Sequence, residues 1–294
     1  MSANGVDVLG LVSQAQSVNA PYSMFNNVRG QQINNYYNKD TEKERRELAD
    51  WLTPLNFRQT QSNIYGNRRE GTGDWVLDNE VFKEWQTGCA KTMWCPGIPG
   101  TGKTVLASYI INFLTEKYNT PDVAVAYIYC NYKEQSTQTV YDLVASLLKQ
   151  LVQDHSSTFT RVASQYQSYR QQGYRPTIQQ VHNTLMSEIK QFQQVFVVVD
   201  ALDEITESDN KRYDLLNKLR SLGCSLLVTS REMDSIRKAL RNVPYMHIRA
   251  HDDDIRRYIE GRILPGTLLY ELINGDPPLR EEIIECIIKR AGGM

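Results

Sequence analysis

The sequence predicts an α/β fold: a three-layer core around a parallel sheet, preceded by a polar disordered leader and followed by a small partial helical region. Three observations lead there. Short apolar runs at 92–95, 123–129, 195–199 and 225–229 are near-continuous rather than alternating, as in strands covered on both faces. Segments with apolar residues at helical spacing separate them, the pattern of β-α units. Between the first run and the first such segment lies Gly97-Ile98-Pro99-Gly100-Thr101-Gly102-Lys103-Thr104. Its G-x-x-x-x-G-K-[ST] spacing requires a strand before it and a helix after it.

Taken in order, residues 1–40 are rich in Asn, Gln, Ser and Gly, with doublets at Asn26-Asn27, Gln31-Gln32 and Asn34-Asn35. Such a leader has too little apolar surface to offset its ordering entropy. A sharper reading of 20–40 is a self-templating β motif, since Asn/Gln ladders with Val28, Ile33, Tyr36 and Tyr37 suit cross-β stacking. Residues 41–90 form a lead-in segment. It holds a helix over 40–53 that ends at Pro54, a stretch from Gln59 to Gly73 with the turn-prone Gly71-Thr72-Gly73, and a second helix over 76–87. The nucleotide-type core spans 91–249. Its helices follow the glycine loop (Leu106, Ile110, Phe113) and recur at 140–153, 158–171, 177–192, 213–222 and 233–240, with a short strand at 245–248. From 250 to 294 only helical patterns remain, a partial domain carried by Ile255, Tyr258, Ile259 and Ile263, then Leu279, Ile283 and Ile287.

The whole chain sets further bounds. It has 294 residues, 41% of them hydrophobic and 23% charged, with a formal net charge of −1. No global basic field is present to draw nucleic acid or an anionic membrane. The five cysteines are scattered and never spaced C-x-x-C, which argues for a reducing compartment and against a zinc or disulfide framework. Cys95, Cys130 and Cys224 read as small core fillers. The four histidines (His155, His182, His247 and His251) have no metal-ligand spacing. No secretory signal opens the chain, and no apolar run reaches the roughly 18 residues a membrane-spanning helix needs. A cytoplasmic protein is expected.

The loop's residue types serve separable purposes. Its glycines let successive backbone N–H groups turn inward on an anion, at angles a Cβ forbids. Lys103 brings a point charge to outer phosphates, and Thr104 offers a hydroxyl to the accompanying magnesium. The following helix aims its positive end at the same place. Phe196-Val197-Val198-Val199-Asp200 then reads as a buried strand that delivers a carboxylate to the sheet's rim for the magnesium shell. Asp203 and Glu204, one turn on, supply an acid to orient an attacking water. Leu226 to Arg231 ends another apolar run with a cation suited to a terminal phosphate.

Gly97 to Thr104, Asp200-Ala201-Leu202-Asp203-Glu204 and Thr229-Ser230-Arg231 together resemble the NACHT family of signal-transduction P-loop NTPases. The flanks Trp51 to Leu55, Glu70 to Trp75 and Met93 to Gly97 are similar to segments that lead into such domains in fungal NOD-like receptors. A small residue after the magnesium aspartate, Ala201, with acids displaced to Asp203 and Glu204, is the particular signature. The resemblance covers about residues 45–294. It implies a switch whose ADP-bound closed form exchanges to an ATP-bound form that oligomerises and signals, in fungi toward innate immunity or regulated cell death. It implies that Lys103 and Thr104 bind phosphate and magnesium and that Asp200 coordinates magnesium through water. Asp203 or Glu204 then assists slow hydrolysis, and Arg231 acts as first sensor. Asn217-Lys218-Leu219-Arg220 lacks the acid of a guanine reader, which favours ATP over GTP while leaving GTP open. The expected partners are nucleotide and further copies of the chain or other NOD-like receptor-type proteins, without nucleic acid and without a membrane span. The sequence ends at Gly292-Gly293-Met294, where the family's base-contacting element would begin, so the resemblance implies a truncated form without winged-helix and repeat domains. Two competing readings are a nucleotide-holding interaction module that never hydrolyses and a P-loop small-molecule kinase, the latter disfavoured by the lack of a basic lid run.

Overall fold

The computed structural model describes residues 32–207, 210–263, 265–273 and 275–291. Most of the expected leader, including most of the stretch 20–40, lies outside the described residues. Residues 1–47 and 48–294 form two compact units. Helix α1 runs Gln32–Leu52, so it starts eight residues before the expected 40. It stops before Pro54, which cannot continue it.

Next comes α2 (Phe57–Gly66), in a stretch to which the sequence assigned no element. Asn56 caps it by accepting a hydrogen bond from the Arg58 N–H, and Phe57 is buried. The segment has few apolar residues, so periodicity alone gave no sign of it. The helix expected over 76–87 is split into a 3₁₀ turn at Asp74–Asp78 and α3 (Glu80–Gln86). Asn79 makes the break, because its side chain accepts from the Phe82 N–H and starts a new helix.

The core follows in order: β1 (Thr92–Pro96), α4 (Lys103–Lys117), β2 (Val123–Tyr129), α5 (Val140–Asp154), α6 (Ser156–Gln172), α7 (Ile178–Ile189), β3 (Gln194–Asp200), α8 (Lys211–Ser221), β4 (Ser225–Ser230) and α9 (Asp234–Ala239). Thr139 caps α5, and a capping box of Thr177 and Gln180 starts α7. The four strands pair in parallel in the order β1-β4-β3-β2. Val195 to Asp200 are all buried, so helices cover both faces of the sheet and the three layers are as expected. Large aromatics fix one interlayer: Phe196 meets Trp85 of α3 at 5.3 Å and Tyr118 at 5.2 Å between centroids.

Both sheet edges are covered. On the β2 side, buried Gln150 accepts from the Tyr127 N–H (3.0 Å) and donates to its carbonyl (2.8 Å), standing in for a neighbouring strand. Gln138 does the same for the Asn131 N–H and the Tyr129 carbonyl. On the β1 side, residues 245–248 run parallel to the strand: Trp94 N–H donates to Pro244, Met246 N–H to Trp94 and Ile248 N–H to Pro96. The expected short strand is this single-bridge extension.

Past the core lie α10 (Asp252–Glu260), α11 (Leu268–Ile273) and α12 (Pro277–Ala291). They pack around their own small cluster of Ile259, Ile263, Ile273 and Ile284. Among the described residues, no helix is long and apolar enough to cross a membrane.

Candidate functional site

Parallel strands in this order bring the ends of β1, β4 and β3 side by side at one rim, with Pro96 opposite Ser230 and Val199 opposite Val228. Ligands of open α/β sheets bind at such carboxyl ends. Every site residue expected from the sequence sits there.

The glycine loop leaves β1 at Gly97, whose N–H donates to the Ser230 carbonyl (3.1 Å) and so ties the loop to β4. A Cβ on Gly97 would stand 2.7 Å from the Ile248 carbonyl oxygen and 2.9 Å from Thr101 Oγ1, so this glycine is required by close approach. Gly100 and Gly102 are needed for backbone direction, with φ of +86° and +83°. Ile98 and Pro99 form the outer rim, and Thr101 is buried with its hydroxyl on the Ile98 carbonyl (3.0 Å). Helix α4 begins at Lys103 directly behind Gly102, so its first N–H groups face the loop. The Lys103 ammonium donates to the Gly97 and Ile98 carbonyls at 2.9 and 2.8 Å. Burial lowers its pKa, opposed by the negative charges of Asp203, Asp200 and Glu204 and aided by Arg231. All four of those groups are therefore close enough to act on it.

Asp200 ends β3 with its carboxyl buried. Thr229 of β4 donates to it at 2.6 Å, and Thr104 of α4 also hydrogen-bonds it. Despite both bonds, burial pushes the carboxyl up to about 6. Ala201 follows in the left-handed region at φ 55°, its N–H on Thr229 Oγ1 (2.9 Å). That turn starts the 3₁₀ segment Leu202–Glu204, where the two remaining acids part ways. Asp203 accepts from the Arg231 backbone N–H (2.9 Å) and from Arg231 Nε (2.6 Å). Glu204 accepts from the Tyr132 N–H beyond β2 (3.1 Å).

A cleft of about 430 Å³ opens beside the loop. The loop and α4 (Gly100 to Gly102, Tyr109) form one wall, and Arg68, Gly73 and Tyr258 help form the other. Asp254 of α10 holds that second wall together, accepting from the Gly73 N–H at 3.1 and 3.0 Å and from the Trp75 indole at 3.1 Å. Trp75 also stacks on His251, 4.4 Å between centroids.

A family model described as Nephrocystin 3, N-terminal matches residues 71–231, more than half of the chain and the whole span from the Gly71 turn to Arg231. The chain belongs to that family. This nephrocystin 3 N-terminal family member has a P-loop NTPase fold, set by the sheet order and loop described above. No curated protein matches it in sequence. Solved structures similar to it include the Aeropyrum pernix ORC1 protein in complex with DNA, at 16% identity and TM-score 0.39 over 68% of this chain and 55% of that one. Domain III of the Thermotoga maritima replication initiation protein DnaA is similar at 16% and 0.38 over 81% and 89%. Drosophila ORC bound to DNA is similar at 16% and 0.38 over 85% and 56%. The family member thus spans little more than half the length of the first of these.

Sequence reasoning missed the roles of Thr229, Arg212, Asp254 and Trp75. Thr229 appeared only as part of a polar pair, and Asp254 belongs to an acidic run that reads as ordinary helix N-terminal charge. Arg212, nearly buried, donates to the Asp203 carbonyl (2.9 Å) and the Ile205 carbonyl (3.0 Å from Nε), pinning the acid turn from behind. A lone Arg in a charged helix carries no sequence sign of that.

Proposed function

We propose that this chain is a nucleotide-controlled signalling switch of the NACHT kind, which binds ATP or ADP with magnesium at the Gly97–Thr104 loop, hydrolyses ATP slowly and changes its self-association with the bound nucleotide. The observation that carries this reading is the convergence of Lys103, Thr104, Asp200, Asp203, Glu204 and Arg231 at one sheet rim. The donor set fits magnesium: one hydroxyl and one carboxylate, both hard oxygen ligands, already bonded to each other. A buried acid with its pKa near 6 gains from a cation beside it. Thr104 and Asp200 would hold the metal, Asp200 through water, and the loop amides with Lys103 would hold the phosphates. Bound magnesium would neutralise charge developing on the transferred phosphoryl group. Arg231 would meet the outermost phosphate, and an acid of the turn after Asp200 would orient water. The cleft has the volume of a small-molecule site, and the nucleoside would lie there. ATP is favoured over GTP by the lack of a guanine-reading acid at Arg220.

Mass spectrometry of nucleotide retained by the purified protein, with its size measured in ADP and in a non-hydrolysable ATP analogue, tests this. Retained adenine nucleotide and a larger species with the analogue are expected. Failure to bind either nucleotide with magnesium overturns the reading.

A second reading, a module that holds nucleotide as a structural ligand without turnover, is favoured by one observation: Asp203 is already taken by Arg231. Single-turnover assays separate the two, since hydrolysis that falls in Asp203→Asn and disappears in Glu204→Gln supports the switch. With a net charge of −1, no salt-dependent DNA binding is expected.

A further inference from the structure

We propose that Asp203 is a positioning residue that aims Arg231, and that it does not itself handle the attacking water. This deepens, and rests on, the hydrolytic reading of the site above.

The two acids of the turn have opposite surroundings. The Asp203 side chain is 3% exposed, and each of its oxygens already accepts from Arg231: Oδ1 from the backbone N–H at 2.9 Å and Oδ2 from Nε at 2.6 Å. An acid that orients water needs an oxygen that water can reach. The Glu204 side chain is only partly covered, and Oε2 alone has a partner, the Tyr132 N–H. Glu204 Oε1 has no hydrogen-bond partner among the described residues.

Asp203 is also fixed from behind. Arg212 is 8% exposed, and its guanidinium donates to the Asp203 carbonyl at 2.9 Å and to the Ile205 carbonyl at 3.0 and 2.6 Å. The backbone of the turn is thereby held while its side chain reaches across to the end of β4. Ala201 in the left-handed region gives the chain the sharp change of direction this needs.

Arg231 has the complementary geometry. Its side chain is 53% exposed, and the bond through Nε orients the planar guanidinium while neither amino group hydrogen-bonds Asp203. A fork gripped at Nε has a fixed heading, and its outer edge is the part suited to phosphate oxygens. Without Asp203 the same side chain samples many rotamers and loses that heading.

The experiment uses the full chain, magnesium-ATP, and a double-mutant cycle read as kcat and KM. Asp203→Asn keeps an acceptor for the N–H but removes the charge at Nε, so kcat is expected to fall about tenfold with KM little changed. Arg231→Ala is expected to fall at least as far, and the double variant no further than Arg231→Ala alone, since one interaction is lost only once. Glu204→Gln is expected to abolish hydrolysis, whereas Asp203→Asn retains a measurable rate. Thermal midpoints check that each variant is folded. Multiplicative effects of Asp203→Asn and Arg231→Ala, or hydrolysis abolished in Asp203→Asn as in Glu204→Gln, overturn the assignment while leaving the hydrolytic reading intact. A wild-type chain that binds nucleotide without any hydrolysis overturns both, and is distinguished because no variant differs from it.

Discussion

Asp200→Asn is expected to make the nucleotide-free protein more stable while removing its magnesium-dependent nucleotide binding. The folded protein holds the Asp200 carboxyl at about 6 instead of the ordinary 3.8, because burial outweighs the hydroxyls of Thr229 and Thr104. A raised acid binds its proton more tightly folded than unfolded. Its contribution to stability is therefore complete below pH 3.8 and lost as pH rises through about 6. The loss amounts to about 3 kcal/mol at pH 7.5, from about 1.4 kcal/mol for each pH unit between those two values. Asparagine carries no charge to bury. It has one acceptor oxygen in place of two, a cost of about 1 kcal/mol. The net gain at pH 7.5 is about 2 kcal/mol, read as a rise of roughly 0.5–1 M in the urea midpoint. At pH 4 both proteins hold a neutral side chain and the gain is gone. Magnesium-ATP should stabilise the wild type at pH 7.5 and leave the variant unmoved. A variant no more stable than wild type at pH 7.5, or one equally stabilised at pH 4, would refute the claim that a buried, ionisable acid sits at this position.

Three further outcomes are expected. Lys103→Ala should abolish magnesium-nucleotide binding by calorimetry yet keep the wild-type circular dichroism spectrum, because the charge sits on the loop rather than in the core; normal ATP binding would remove the loop from the site. Ala201→Gly should raise stability by about 1 kcal/mol in urea unfolding, since glycine alone adopts φ 55° without strain; a loss of stability there would contradict the left-handed turn. Asp254→Ala should leave the Gly73 N–H and the Trp75 indole without their shared acceptor, costing about 2 kcal/mol and shifting Trp75 fluorescence to the red. Unchanged emission would mean that Asp254 does not hold the cleft wall.

Much of this was legible in the sequence because the residues concerned obey local rules. The buried strands are uninterrupted runs such as Phe196 to Val199, and the loop is a spacing pattern that hardly occurs without its chemistry. Asp200 could be read because it closes such a run. What could not be read depends on contacts far apart in sequence. Thr229 meets Asp200 across 29 residues, Arg231 meets Asp203 across 28, and Asp254 meets Gly73 across 181. Strand order decides those meetings: β4 lies between the loop strand and the acid strand, and neither hydrophobic pattern nor motif spacing states that order. Asp203 and Glu204 looked interchangeable for the same reason, since only the fold shows that one faces β4 and the other faces the end of β2. Helix α2 escaped notice because it buries little beyond Phe57 and so has almost no apolar period.

The bonds from the Lys103 ammonium to its own loop carbonyls have a consequence for selectivity. An incoming anion must compete with the polypeptide for that cation before it gains anything from it. Orthophosphate or sulfate, with a single tetrahedral centre, has few simultaneous attachments with which to win the contest. On the proposed nucleotide reading, a chain of linked phosphates would first settle along the backbone amides and then draw the ammonium away, so self-bonding within the loop would set an entry threshold favouring longer phosphoanions even though no individual contact measures their length.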